Sequence, residues 1–256
     1  LSGSGKTKLA QAFSVWINST NDQTALIPVG ADWTSNENIV GYPDGLTAEN
    51  YVSTPALDLI LRASENPDLP HFLILDEMNL SHVERYFADM LSAIESEEAI
   101  PLYEGDLEDE SAWRVTNAGR AIPPSVKLPE NLFVIGTVNV DETTYMFSPK
   151  VLDRANVIEF RVGPKEMKAF LANPGTKPDL RKLAGEGSGY GKAFVTTQAA
   201  EVKVAGEFSE AINKFFEIFG NHDLEFGYRV AHEASRLVHF QKLLGSGSFR
   251  PNFDAV

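Results

Sequence analysis

The apolar positions of this chain follow two spacings, one typical of helices and one typical of buried strands. Leu9, Phe13 and Ile17 recur at helical spacing, which predicts a helix over residues 6–17. Short apolar segments predict strands that pair in a parallel sheet, and the second of them, an unbroken apolar run, should be its buried centre. The predicted strands are residues 24–29, 71–77, 132–137 and 156–160. Because proline lacks an amide hydrogen, Pro28 places the first strand at an edge or an end of the sheet.

Helical spacing returns at four further places, two of them late in the chain. These predicted helices cover residues 55–63, 83–95, 207–219 and 228–244. Between residues 97 and 129 the apolar spacing is weak and charged and turn residues are frequent, which indicates a β-hairpin insertion or a long loop. Prolines and glycines become frequent past Gly163 and mark a connection. We therefore expect an α/β core over residues 1–162 and a smaller helical domain over residues 163–256.

Composition and charge narrow the class of protein. The 256 residues are enough for a sizeable core, and the lack of cysteine excludes disulfides and thiolate metal sites. No apolar run approaches the length of a membrane span, and a chain without cysteine is typical of the cytoplasm, the location we expect. The net charge of −14 opposes attraction of nucleic acid by the surface as a whole. Any DNA contact must therefore come from a local basic strip, a pore or another domain.

The candidate chemistry begins at the first residue. Residues 1–7 read Leu-Ser-Gly-Ser-Gly-Lys-Thr, which is the phosphate-binding P-loop pattern without its first glycine. In such a loop the backbone of the small residues cradles phosphates, the lysine reaches the β- and γ-phosphates, and the hydroxyl binds Mg²⁺. The corresponding residues here are Ser2, Gly3, Ser4, Gly5, Lys6 and Thr7. The alternative is a Gly/Ser linker that ends in Lys-Thr. Since the first glycine is missing, we expect that the chain was cut inside the loop and binds nucleotide poorly as it stands.

Two carboxylates follow the strand that begins at residue 71. In a P-loop NTPase, Asp76 would support Mg²⁺ and Glu77 would polarise the attacking water. Asn139 follows the next strand. Because ligands sit at the carboxyl ends of parallel strands, its amide should lie beside the two carboxylates, where it could orient the water or touch the γ-phosphate. The alternatives are a helix N-cap for the carboxylates and an Asx-turn for the asparagine.

Five motifs occur in an order that resembles the AAA+ ATPases. They are Gly-Ser-Gly-Lys-Thr at 3–7, Leu-Asp-Glu-Met-Asn at 75–79, Ile-Gly-Thr-Val-Asn at 135–139, Leu-Asp-Arg at 152–154 and Phe-Gly-Tyr-Arg at 226–229. They are similar to Walker A, Walker B, sensor 1, the arginine finger and sensor 2. The second and third motifs resemble those of the McrB-like group, near the MoxR and dynein-related proteins. The resemblance covers nearly the whole chain. It implies a P-loop AAA+ core with a central, mainly parallel sheet flanked by helices, and a smaller C-terminal α-helical lid.

The resemblance also implies the roles of individual residues. It assigns phosphate binding to Lys6 and the loop before it, Mg²⁺ binding to Thr7 and Asp76, and catalysis to Glu77 as base, Asn139 as sensor 1 and Arg154. Arg154 would be an arginine finger that enters the site of the neighbouring subunit, and Arg229 would be sensor 2, reaching the γ-phosphate from the lid. Without the family context, Arg154 could equally pair with Asp153. Arg229 could equally be a solvated helix residue beside Glu225 or Glu233.

For the McrB-like group the resemblance implies hydrolysis of GTP or ATP with Mg²⁺ in a homo-oligomeric ring, expected to be a hexamer. This motor would drive a partner nuclease in a modification-dependent restriction system, and DNA would be contacted through domains outside this chain or through the pore. A MoxR-like chaperone that remodels a protein client and a nucleotide-gated scaffold with little turnover are the other candidates. The insertion at 97–129 could be a pore loop or an acidic hairpin against the next subunit. No histidine has the spacing of a metal ligand.

Overall fold

The structure, a computed structural model, describes residues 5–47, 49–139, 144–159, 162–172, 179–202, 206–224, 226–243 and 245. By its internal contacts the chain divides into two compact units, Leu1–Ala199 and Ala200–Val256. The division by packing therefore falls after residue 199, whereas the domain boundary predicted from the sequence lies after residue 162. None of the described helices is long and apolar enough to cross a membrane.

The first unit has an α/β architecture. Its α-helices are α1 (Lys6–Ile17), α2 (Glu37–Val40), α3 (Pro55–Glu65), α4 (Val83–Tyr86), α5 (Ala88–Ser96), α6 (Pro149–Leu152), α7 (Pro164–Ala172) and α8 (Gly191–Gln198). Its strands are β1 (Thr24–Pro28), β2 (Tyr42–Pro43), β3 (Tyr51–Val52), β4 (His71–Asp76), β5 (Ile100–Pro101), β6 (Arg114–Val115), β7 (Ala121–Ile122), β8 (Ser125–Val126) and β9 (Leu132–Gly136). Short 3₁₀ turns cover Asn21–Gln23, Met78–Leu80, Glu110–Ala112, Leu180–Leu183 and Ser188–Tyr190.

Three strands form the central sheet, in the order β1-β4-β9, and all of them are parallel. The register pairs Pro28 with Asp76 and Leu75 with Gly136, so the three strands end at the same edge of the sheet. This confirms the predicted strands at 24–29, 71–77 and 132–137, the central place of the second, and the edge position that Pro28 indicates. The residues that follow β4 and β9 are thereby placed side by side.

Helices cover both faces of the sheet, because the residues of β4 are apolar on both sides. Phe72 and Ile74 pack in one buried cluster with α1, while Leu73 and Leu75 belong to the larger cluster that includes α3. Burying one such side chain stabilises the fold by roughly 1.5–3 kcal/mol. α1 has the predicted bounds, and its packing on β4 directs its amino end toward the site described below.

Sequence signals explain the start of α3 and the packing at the end of α1. α3 begins where the Thr54 hydroxyl accepts a hydrogen bond from the Leu57 amide, with Pro55 at the first helical position. The end of α1 is covered by the later segment, since Gly187 N donates to Trp16 O at 2.8 Å. A Cβ at Gly187 would lie 2.4 Å from the Trp16 ring, so only glycine allows this close approach.

The insertion at 97–129 contains two small antiparallel pairs, β5 with β8 and β6 with β7. This confirms a β-hairpin insertion rather than an open loop. Arg114 Nη1 donates to Asn50 O at 3.3 Å, and the guanidinium lies 5.0 Å from the centre of the Tyr103 ring. Arg120 forms an ion pair with Glu65 at 2.7 Å. Two of the basic side chains of the insertion therefore contact the rest of the first unit.

Two sequence predictions were wrong in this unit. No strand forms over residues 156–159, where Val157 and Ile158 are 72% and 86% exposed; residue 160 lies outside the described residues. An apolar run becomes a strand only when a partner edge pairs with it, and residues 156–159 pair with none of the described strands. The single helix predicted over 83–95 is two helices, since the backbone at Phe87 leaves helical geometry. This change places the adjacent rings of Tyr86 and Phe87 together in the core.

The second unit is helical. It contains α9 (Gly206–Gly220) and α10 (Tyr228–Leu243), which confirms the two late helices within a few residues at each end. Phe226 lies before α10 and packs edge to face against two rings of α9, Phe216 at 5.4 Å and Phe219 at 6.2 Å between ring centres. These aromatic contacts join the two helices of the unit.

Candidate functional site

The amino end of α1 forms one wall of the candidate site. Gly5 caps this helix with a φ of 93°, a left-handed conformation that glycine adopts without a steric penalty. The first turn of α1 carries no acidic residue. The backbone amides of this helix end supply a partial positive charge of the kind that attracts phosphate groups, and no carboxylate of the first turn offsets it. Ser2, Gly3 and Ser4, the other predicted loop residues, lie outside the described residues.

Two side chains of α1 reach across to the carboxyl edge of the sheet. Lys6 Nζ donates to Asn139 Oδ1 at 2.8 Å, and Thr7 Oγ1 donates to Asp76 Oδ1 at 2.6 Å. These pairs are separated by 133 and 69 positions in the chain, so only the fold brings them together. The structure thus gathers the residues of three sequence motifs at one place.

Asp76 ends β4 and its carboxylate receives hydrogen bonds from two hydroxyl groups. Besides Thr7, Thr137 donates to the same oxygen, Oδ1, at 2.6 Å. Thr137 is the first residue after β9, and its amide donates to Leu75 O at 2.9 Å, which continues the pairing of the two strands. Two converging donors fix the orientation of the Asp76 carboxylate.

Glu77 has an unusual backbone conformation beside this carboxylate. Its φ is 53°, in the left-handed region, which costs roughly 1–3 kcal/mol for a residue other than glycine. Hydrogen bonds from the Glu77 amide to Thr137 Oγ1 at 3.0 Å and from the Met78 amide to Thr137 O at 2.8 Å hold the backbone there. The Glu77 side chain is exposed, and its Oε1 accepts a hydrogen bond from Asn139 Nδ2 at 3.4 Å.

Asn79 anchors the floor of the site and is 2% exposed. Its side-chain amide donates to Asn139 O at 2.8 Å and to Tyr145 O at 3.2 Å, while its own carbonyl accepts from the Tyr145 amide at 3.0 Å. Asn79 therefore joins the turn after β4 to the backbone of Asn139 and to the backbone of Tyr145.

The donor set fits Mg²⁺ in the presence of phosphate. The Thr7 hydroxyl and the Asp76 carboxylate are hard oxygen donors in direct contact, and Mg²⁺ is usually held by one or two such groups together with water and substrate phosphates. Among the described residues, no three His, Cys, Asp or Glu side chains gather into a metal site. The pair could thus hold Mg²⁺ together with a triphosphate, but two protein ligands do not complete the coordination of the ion by themselves.

Arg154 follows α6, and its contacts in the described structure lead away from the residues above. Its guanidinium forms an ion pair with Glu95 of α5, and Nη1 donates to Lys150 O at 2.6 Å. The partner is thus Glu95, and not the neighbouring Asp153 that the sequence suggested as the alternative. Only 16% of the Arg154 side chain is exposed.

Arg229 is the second residue of α10 and belongs to the second unit. Its side chain is half-buried. Of its two suggested helical partners, Glu233 lies 4.0 Å from Arg236, and Glu225 is outside the described residues. The assignment of Arg229 as sensor 2 stays a prediction.

Sequence reasoning missed three residues that shape this region: Thr137, Asn79 and Glu95. A signal for Thr137 was present, because it stands two positions before Asn139 in the Ile-Gly-Thr-Val-Asn motif. For Asn79 and Glu95 no local pattern gives the partner, since the partners come from distant segments.

Comparisons with known proteins add nothing to the geometry of the site. No protein-family model matches the chain, and no curated protein matches it. The function is therefore inferred from the contacts of the described residues and from the order of the sequence motifs.

Proposed function

We propose that this chain is the nucleotide-binding module of a Mg²⁺-dependent nucleoside triphosphatase with a P-loop AAA+ core. The observation that carries the proposal is the pair of contacts from α1 to the sheet edge, Lys6 to Asn139 and Thr7 to Asp76. Contacts with the ends of two parallel strands are not expected of a linker that ends in Lys-Thr by chance. A helix amino end, a lysine, a hydroxyl and a carboxylate at one point are the groups that triphosphate chemistry requires.

Each of these groups has a separate task in the proposed reaction. The α1 amides and Lys6 bind the phosphate oxygens, and Lys6 exchanges its contact with Asn139 for one with the substrate. Thr7 and Asp76 hold Mg²⁺, which when bound neutralises charge on the phosphates. Glu77 accepts the proton of the attacking water, and Asn139, whose amide already reaches the Glu77 carboxylate, orients that water.

The position of Glu77 supports its role as the base. Its carboxylate is exposed at the rim of the site, whereas Asp76 receives two hydroxyl donors. The two adjacent carboxylates therefore have different surroundings. One is fixed for a cation, and the other is available to a water molecule.

A finer proposal follows from the motif order alone. We place the chain with the McrB-like AAA+ proteins, as a subunit of a homo-oligomeric ring that hydrolyses GTP or ATP and drives a partner nuclease. In such a ring Arg154 would act in the site of the neighbouring subunit, and it would either break its ion pair with Glu95 or keep it. Support for this finer proposal is the five-motif resemblance and not a contact of the described residues.

A hydrolysis assay tests the proposal directly. Phosphate release from GTP and from ATP is measured side by side on the full-length protein, with Mg²⁺ and with EDTA. We expect Mg²⁺-dependent turnover of at least one nucleotide, and its loss in Asp76→Asn. Preference for GTP would favour the McrB-like proposal, and strict use of ATP would favour a MoxR-like chaperone. No Mg²⁺-dependent hydrolysis of either nucleotide would overturn the proposed function.

A further inference from the structure

Through its hydroxyl group, Thr137 is hydrogen-bonded to both Asp76 and Glu77, the two residues that carry the carboxylates of the site. The residue is 6% exposed and lies where β9 ends, next to the end of β4. From its position in the network we propose that Thr137 is a positioning residue for hydrolysis, which acts through both Asp76 and Glu77. The inference rests on the proposed function and adds to it a residue for which neither motif order nor resemblance gave a role.

The directions of its two hydrogen bonds are fixed by chemistry. A backbone amide can only donate, so the Glu77 N–H donates to Thr137 Oγ1 at 3.0 Å. An ionised carboxylate can only accept, so the single hydroxyl hydrogen of Thr137 goes to Asp76 Oδ1 at 2.6 Å. One hydroxyl group thus connects the carboxylate that would face Mg²⁺ to the backbone that carries the proposed base.

The connection to Asp76 has a specific geometric consequence. Thr7 Oγ1 and Thr137 Oγ1 both donate to Oδ1 of Asp76, one from α1 and one from the end of β9. When Thr7 turns to a bound cation, Thr137 remains as the donor that keeps the carboxylate in its orientation. The hydroxyl is therefore needed most in the state that carries out hydrolysis.

The connection to Glu77 concerns backbone strain. With a φ of 53°, Glu77 persists in the left-handed region only if surrounding bonds hold it there. The bond from its amide to Thr137 Oγ1 is one of these, and the bond from the Met78 amide to Thr137 O is another. Loss of the hydroxyl removes the first and leaves the second. We therefore expect the Glu77 carboxylate to lose its fixed orientation, while the conformation of the turn is kept.

Three variants test the inference. Thr137→Val keeps the shape and removes the hydroxyl, Thr137→Ser keeps the hydroxyl, and Thr116→Val is the matched control. Thr116 is a second buried threonine, and its hydroxyl also accepts a hydrogen bond from a backbone amide, that of Arg120 at 3.1 Å. It lies in the insertion and not at the sheet edge. The same chemical change is thus made once inside the network and once outside it.

The expected results separate positioning from a purely structural role. Thr137→Val should lower kcat roughly ten- to a hundredfold, the loss expected for hydrogen bonds that involve a charged group. Nucleotide affinity measured without Mg²⁺ should change by less than about threefold, and the Mg²⁺ concentration for half-maximal turnover should rise. Thr137→Ser should recover kcat to within about threefold, and Thr116→Val should keep it.

The failures of this inference and of the proposed function are distinguishable. Wild-type protein without turnover overturns the proposed function, and the inference falls with it. Turnover in wild type with unchanged kcat in Thr137→Val overturns the inference alone. So does a serine variant as slow as the valine variant, or an equal loss in Thr116→Val. If Thr137→Val does not fold by circular dichroism, Thr137→Ala removes the same hydroxyl, and unchanged kcat there overturns the inference equally.

Discussion

The carboxyl edge of the sheet and the insertion at 97–129 are both rich in polar side chains, but they use them differently. At the sheet edge, side chains from α1, β4 and the residues after β9 bond to one another. In the insertion, Arg114 and Arg120 bond to backbone and side chains of the first unit. The carboxylates of its outer part, Glu104, Asp106, Glu108, Asp109 and Glu110, are exposed.

This difference shows that charge composition alone does not identify a functional surface. Both regions contain arginine or lysine beside carboxylates, and either could bind a charged partner by composition. The two regions differ in the partners of their polar groups. At the sheet edge these groups bond to one another, whereas in the insertion the arginines bond to other parts of the fold. Arg114 stacks on the Tyr103 ring and Arg120 pairs with Glu65, so neither cation is presented as a basic strip for DNA. The insertion is therefore better described as a docked hairpin with an acidic outer surface.

The largest contrast is expected between two arginines that each pair with a glutamate, Arg154 with Glu95 and Arg120 with Glu65. If Arg154 acts in the site of a neighbouring subunit, Arg154→Ala should lower kcat of the assembled protein by roughly a thousandfold to a hundred-thousandfold. Arg120→Ala should leave kcat within about twofold of wild type, since its ion pair only supports the fold.

Steady-state turnover of the two alanine variants, with assembly monitored by light scattering, checks this contrast. Full turnover in Arg154→Ala together with nucleotide-dependent assembly would favour the scaffold hypothesis. An equal loss in both variants would show that the insertion also contributes to turnover, and the distinction between the two regions would fail.

A smaller but still large effect is expected for the carboxylate of Glu77. Glu77→Gln keeps the size of the side chain and removes the base, so kcat should fall roughly a hundred- to ten-thousandfold while nucleotide binding persists. Glu108→Gln makes the same change on an exposed carboxylate of the insertion and should have no effect on kcat. Turnover and binding are measured on both proteins. Equal kcat in wild type and Glu77→Gln would remove Glu77 from the role of base.

Lysine gives the third comparison. Lys6→Ala removes the cation that would contact the phosphates, so nucleotide affinity should fall roughly tenfold to a hundredfold. Lys127→Ala removes an exposed lysine of the insertion and should leave the affinity unchanged. Calorimetric titration of the full-length variants with nucleotide and Mg²⁺ gives both values. Unchanged affinity in Lys6→Ala would separate Lys6 from phosphate binding.

Local sequence pattern was enough for much of the fold of the first unit. The helix over Lys6–Ile17 and the strands β1, β4 and β9 follow from helical spacing and from unbroken apolar runs, and these signals are contained in each segment itself. The same kind of signal failed over residues 156–159 because a strand depends on a partner that the segment does not contain.

Prediction from local sequence has the same limit for single residues of the site, because it does not identify their distant partners. Motif order predicted that Lys6, Thr7, Asp76, Glu77 and Asn139 would meet, and the structure brings them together. The role of Thr137 depends on the register of β4 with β9, and that of Asn79 depends on the path of the chain after Asn139. Neither can be obtained from one segment, because each bond joins positions about 60 residues or more apart.

The smallest effect is expected from Tyr103, at the centre of the insertion. Its hydroxyl donates to Ile122 O at 2.5 Å and accepts from the Arg114 amide at 3.0 Å, which ties β6 and β7 together. Tyr103→Phe leaves both backbone groups without this partner and should lower the free energy of unfolding by about 1–2 kcal/mol. Urea unfolding measures this loss, and Tyr42→Phe, at a 45% exposed position, serves as the matched control with little expected change.

Turnover of the same variant then decides how separate the two regions are. If the insertion only supports the fold, kcat of Tyr103→Phe should stay within about twofold of wild type under conditions where both proteins are folded. A large fall in kcat with unchanged stability would mean that the insertion communicates with the sheet edge. In that case the hydrogen bonds of Tyr103 would belong to the functional machinery, and the insertion would have to be counted as part of the site and not as a docked hairpin.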